Sequence, residues 1–222
     1  MYRYIILALT VLAGSASADV FSISASERGW VCNGPSFGCP NNNGADPSNN
    51  YSAGHGSITL GSLRDWFEFA IPDLNGASLV SATLSLADPA HSGGDFTFTV
   101  YGLSNEPIVF TDVTTSNPFG SVATSSASTG TTVTITLNTA ALAALSADQT
   151  SNIFIGGVDS AESGSSLAGD FFSTTGSSFA TTLTLTTTAG TTAVPEPGSL
   201  LLLASVVLLV CAFRAVPISF PR

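Results

Sequence analysis

The chain has 222 residues, with 15 acidic and 5 basic side chains and a formal net charge of −10. Three of the five basic residues (Arg3, Arg214, Arg222) and one of the fifteen acids (Glu196) lie in the terminal segments, so Asp19–Val194 keeps two basic and fourteen acidic residues, a net −12, and no lysine. Such a surface repels phosphate backbones and excludes nucleic acid as a partner, while it suits solubility, divalent cations or a hydrated polymer.

Met1-Tyr2-Arg3-Tyr4 opens with a basic residue, Ile5–Leu12 is apolar, and Ala16-Ser17-Ala18 is a small-residue cleavage site. This order predicts a secretory signal peptide over 1–18, cut before Asp19. The body is expected over 19–188. Val20–Ser24 begins it as a strand. Cys32 and Cys39 follow in Cys-Asn-Gly-Pro-Ser-Phe-Gly-Cys, which in an exported chain reads as a loop disulfide; a zinc site wants more ligands than the nearby His55. Cys32–Gly56 is rich in Asn, Gly and Pro and is expected to be a long loop.

From there the hydrophobic period is two. Ser57–Leu60, Arg64–Ile71, Val80–Leu86, Phe96–Val100, Ile108–Asp112, Val133–Leu137, Asn152–Val158 and Leu183–Leu185 are predicted strands, many alternating with threonine. One short helix is predicted over Ala140–Leu145, capped by Asn138 or Thr139. Eight to ten short strands, wet on one face, predict an all-β antiparallel sandwich. The Ser/Thr-rich stretches are either strand faces or sites for O-glycans. Residues 189–197 form a linker ending in Val194-Pro195-Glu196-Pro197. Gly198–Phe213 is uncharged, and Ala215 and Val216 extend it, so 198–216 is predicted to be a transmembrane helix. Arg214 is its basic stop, which leaves 217–222 as a short cytoplasmic tail and the body outside.

Candidate chemistry is sparse. His55 lies in Gly-His-Gly and His91 in a turn-like segment, and both are expected in exposed loops without a catalytic role. The chain has no Gly-x-Ser-x-Gly elbow, and no enzyme is expected. Arg64 is expected to pair with Asp65 or Glu68 at the start of a strand. Asp159, Glu162 and Asp170 share a Gly/Ser-rich segment that offers either a calcium site or solvated loop acids; no other cofactor is expected. Trp30, Tyr51, Trp66 and Tyr101 are candidate sugar-stacking platforms, although Trp66 also fits a packed second layer.

Val194-Pro195-Glu196-Pro197, the apolar helix and Arg214 together resemble the PEP-CTERM sorting signal of Gram-negative bacteria that make exopolysaccharide. The resemblance implies an exosortase partner, a membrane-embedded cysteine transpeptidase that removes the tail near Pro-Glu-Pro. The usual basic cluster is here reduced to Arg214, followed by Ala215–Arg222. Leu63–Leu74 with Val80-Ser81-Ala82-Thr83-Leu84-Ser85-Leu86 also resembles the start of DNRLRE-type jelly-roll domains, related to a carbohydrate-binding module class. The expected product is therefore anchored transiently in the inner membrane and then becomes a structural or adhesive component of the cell surface or exopolysaccharide matrix. The alternative is a carbohydrate-binding module without catalysis.

Overall fold

A computed structural model describes residues 18–34, 50–56, 61–88, 90–107, 109–163, 168–171 and 180–189. The predicted signal peptide, Cys39, the Ser57–Leu60 strand, the sorting motif, the transmembrane helix and Arg214 lie outside the described residues. Twelve strands and one α-helix are seen among those described. They are β1 (Ala18–Ser24), β2 (Glu27–Cys32), β3 (Ala53–His55), β4 (Ser62–Ala70), β5 (Leu79–Asp88), β6 (Ala90–Ser92), β7 (Phe96–Leu103), β8 (Pro118–Thr124), β9 (Thr131–Thr136), α1 (Thr139–Ala147), β10 (Asn152–Asp159), β11 (Ala168–Phe171) and β12 (Thr182–Ala189).

They form two antiparallel sheets. The first has the order β1-β12-β5-β9, and the second runs β6-β11-β3-β4-β10-β7-β8 with β2 paired to β4. β4 is central to the second sheet. It pairs with β2 from Glu27↔Glu68 to Cys32↔Leu63, and with β10 from Asn152↔Ala70 to Gly157↔Asp65. Alternation puts Phe67, Phe69, Phe98, Val100, Ile153 and Ile155 of this sheet into one core with Ala82, Leu84, Leu86, Ile135, Leu183 and Leu185 of the other. The opposite face of the first sheet is hydroxyl-rich. Thr184, Thr83 and Thr136 form one cross-strand row and Thr182, Ser85 and Thr134 another. These Ser/Thr runs are therefore strand faces, as their alternation with Leu, Val and Ile requires.

The helix follows its expected cap. Asn138 accepts a hydrogen bond from the Ala141 N–H, and Ala141 and Leu145 are buried against the core. It runs two residues beyond the predicted Leu145. Three other expectations need correction. Phe110–Asp112 is a 3₁₀ turn, not a strand, because Asp112 reaches back to the Val109 N–H and closes the backbone locally. His55 lies in β3 and His91 in β6, and each is paired to β11 rather than placed in a free loop. β2 and β8 were hidden by Arg28-Gly29 and by Pro118 and Gly120, which interrupt the apolar alternation.

The second sheet needs glycine where β10 crosses β4. Gly157 lies opposite Asp65 and Val100. A Cβ there would collide with the Asp65 carboxylate and the Phe98 ring. On the other face, Gly156 lies opposite Trp66 and Tyr101, and a Cβ would come within 2.6 Å of Val113 Cγ1. The segment between β7 and β8 thus sits on the sheet, with Val113 fully buried over Gly156.

Candidate functional site

Both cations of the body are committed to structure. Arg28 is opposite Phe67 and is buried in the core. Its Nη1 donates to Thr181 Oγ1 at 3.3 Å, and its guanidinium lies 4.9 Å from the Tyr51 ring centroid. Tyr51 is itself fully buried, edge-on to Phe67, and donates to the Ala87 carbonyl at 3.0 Å. Burial pushes the Tyr51 phenol up to about 12; Asp65 adds to the rise, while Thr181, Arg28 and the Ala87 hydrogen bond oppose it. Asp65 shares this inner face. The group is a polar knot inside the fold, closed to any ligand.

Arg64 points to the outer face. It pairs with Glu162 at 2.7 Å, not with Asp65 or Glu68. The pleat explains the correction. Asp65 projects from the opposite face, and Glu68 is four residues along, about 13 Å away on a strand. Glu68 instead accepts from Ser26 Oγ and Asn152 Nδ2. Arg64 also donates to the Val113 carbonyl at 2.6 Å and stacks 4.0 Å over the Phe110 ring. One side chain therefore pins the β7–β8 segment and the 3₁₀ turn Ser160–Ser163 to the same sheet. Ser62 Oγ donates to the Glu162 carbonyl at 2.9 Å, and the Thr97 N–H donates to Ser160 Oγ at 2.9 Å.

These ties frame an open cleft of about 500 Å³ on the outer face. Thr97, Thr99 and Tyr101 form one wall as alternate residues of β7, whose intervening Phe98 and Val100 are in the core. Asp159, Ser160 and Glu162 are among the residues that line the rest of it. The arrangement offers hydroxyl donors and acceptors, the Arg64-paired Glu162 carboxylate and one partly exposed aromatic ring.

The cleft also sorts the four aromatic candidates. Tyr51 and Trp66 are fully buried, and Trp30 is buried with its Nε1 donating to Asn50 Oδ1 at 3.3 Å. Tyr101 is the half-exposed one. Trp66 takes the packed alternative because its neighbours across the sheet, Gly29 and Gly156, leave room for the indole.

Two of the three acids considered for calcium have separate tasks. Asp159 accepts from the Ala161 N–H at 2.7 Å, and Glu162 holds Arg64. Asp170 is opposite His91 in β11. Among the described residues, no three His, Cys, Asp or Glu side chains are grouped as ligands for a metal. His91 Nε2 lies 2.6 Å from the Gly94 carbonyl, stapling its own turn, and its ring leans on Phe96. Cys32 ends β2, while Cys39 is outside the described residues. The Arg64–Glu162 pair and the cleft escaped sequence reasoning. The available signal was the scarcity of cations: with only two in the body, Arg64 had to be shared among many distant acids. No protein-family model matches the chain, and no curated protein matches it in sequence.

Proposed function

We propose that this is an exported, non-catalytic protein of the cell surface or exopolysaccharide matrix, delivered by a signal peptide and released from the membrane by an exosortase. The observation that carries this reading is the extent of the folded unit. Ala18–Thr188 is compact by itself. It starts one residue before the expected cleavage point and stops six residues short of Val194. Both cuts would leave the sandwich whole. The body also suits life outside the cell, with its acidic charge and hydroxyl-rich strand faces. A Cys32–Cys39 bridge would close the segment after β2 in that oxidising compartment.

The strand orders favour a jelly roll. Taking β1, β4, β5, β7, β8, β9, β10 and β12 as eight successive strands, the sheets read 1-8-3-6 and 2-7-4-5. That is the order two nested Greek keys generate. A second reading, a carbohydrate-binding module, is favoured by the cleft beside Tyr101.

Export and release are tested together. Replacing Pro195 and Pro197 by alanine should leave the chain in the membrane fraction, with its tail attached. If the doubly substituted protein is released at the rate of the parent, Pro-Glu-Pro is not the recognition element.

A further inference from the structure

Resting on the carbohydrate-binding reading, we infer that the outer cleft takes an internal stretch of an uncharged polysaccharide, and that Tyr101 is the residue on which a sugar ring stacks.

Charge sets the ligand class. A polyuronate or sulfated glycan needs cations to meet its anionic groups. The body has only Arg28 and Arg64. Arg28 is buried in the core beside Tyr51, and Arg64 is held by Glu162, the Val113 carbonyl and Phe110. The Glu162 carboxylate that lines the cleft is neutralised by Arg64, and Asp159 is fully buried with its carboxylate turned to the Ala161 N–H. An anionic chain would meet a body of net −12 whose two arginines are already engaged, whereas a neutral chain presents hydroxyls that donate to and accept from the threonine and serine hydroxyls.

Shape sets the ligand size. The volume is in the range of small-ligand sites, yet the cleft is open to solvent, so a polymer can run through it without a free end. Thr97, Thr99 and Tyr101 repeat every second residue and span about 13 Å at the usual rise of a strand, a ladder long enough to follow successive sugars. Tyr101 combines an apolar ring face with a polar tip, which suits a sugar's own apolar and hydroxyl faces. The walls are preformed: the Arg64–Glu162 pair and the Thr97–Ser160 hydrogen bond fix both sides before any ligand arrives.

The test is affinity electrophoresis of the protein purified from the cells that make it. The gels contain hydroxyethyl cellulose, galactomannan, dextran, or alginate, the last with EDTA or with calcium. At least one neutral polymer should retard the protein, and alginate should not in either condition. Tyr101→Ala should weaken that retardation at least tenfold, and Thr99→Arg, which fills the cleft, should abolish it. Tyr101→Phe should stay within about threefold of the parent. Tyr101→Phe should keep the parent's denaturation midpoint, and Tyr101→Ala and Thr99→Arg should still unfold cooperatively with a lower midpoint, since both side chains are on the outer face but partly buried. Retardation by alginate alone would overturn the ligand class and leave carbohydrate binding standing. Retardation by no polymer would overturn both. Neutral-polymer binding untouched by Tyr101→Ala and Thr99→Arg would place the site elsewhere.

Discussion

Gly157→Ala should destabilise the protein by at least about 3 kcal/mol, enough to leave much of the chain insoluble. The added methyl would point inward from β10, where the Asp65 carboxylate and the Phe98 ring already occupy the space. Neither can retreat cheaply. Asp65 is fully buried and lies within the electrostatic reach of Tyr51. Phe98 is wedged in the core between the sheets. Overpacking alone costs about 1–3 kcal/mol, and disturbing the surroundings of a buried carboxylate adds to it. Gly76→Ala is a useful contrast, because nothing lies within 4 Å of its Cβ position and only the backbone strain of its φ of +76° remains. Chemical denaturation of the two variants should separate them by about 2 kcal/mol; equal midpoints would mean that Gly157 is not a contact point.

The second large effect is alkaline loss of stability. Tyr51 has a folded pKa of about 12 against 10.0 for the free side chain. The folded state therefore holds its proton where the unfolded state releases it. This contribution is complete below pH 10 and is lost as pH rises from 10 through 12. Two pKa units correspond to about 2–3 kcal/mol. Denaturant midpoints measured at pH 9, 10, 11 and 12 should fall steeply across that window. Tyr51→Phe keeps the ring against Phe67 and Arg28 but has no proton to lose. It should start about 1 kcal/mol less stable, from the lost hydrogen bond to Ala87, and then decline less with pH. If both proteins fall in parallel, Tyr51 is not the group that titrates.

Much of the architecture was legible because burial on one face writes a period of two into the chain. Val80–Leu86, Phe96–Val100 and Val133–Thr136 are strands for that reason, and Asn138 announces the helix by its cap. The signal fails where both faces are covered. Around Trp66 the outer face is roofed by Val113, so the run from Asp65 to Phe69 is buried throughout and its facing is not readable from polarity. It fails again where polar residues enter the core. Arg28 and Asp65 look like surface residues in the sequence, and only the strand pairing reveals that they face Tyr51. The expected Arg64 partners failed on pleat geometry, and Glu162, 98 residues away in the chain, could not be chosen over other acids without the fold. The cleft is a product of tertiary structure in the same sense. Thr97, Thr99 and Tyr101 are an ordinary strand face until the turn after β10 is folded beside them.

On the proposed function, the acidic sandwich is the finished protein and both ends are handles. Terminal-peptide and intact-mass spectrometry of the protein recovered from its own cells tests this most directly. The expected species begins at Asp19 and ends near Pro195–Pro197, without the apolar segment. A species that keeps Met1, or that ends at Arg222, would contradict it.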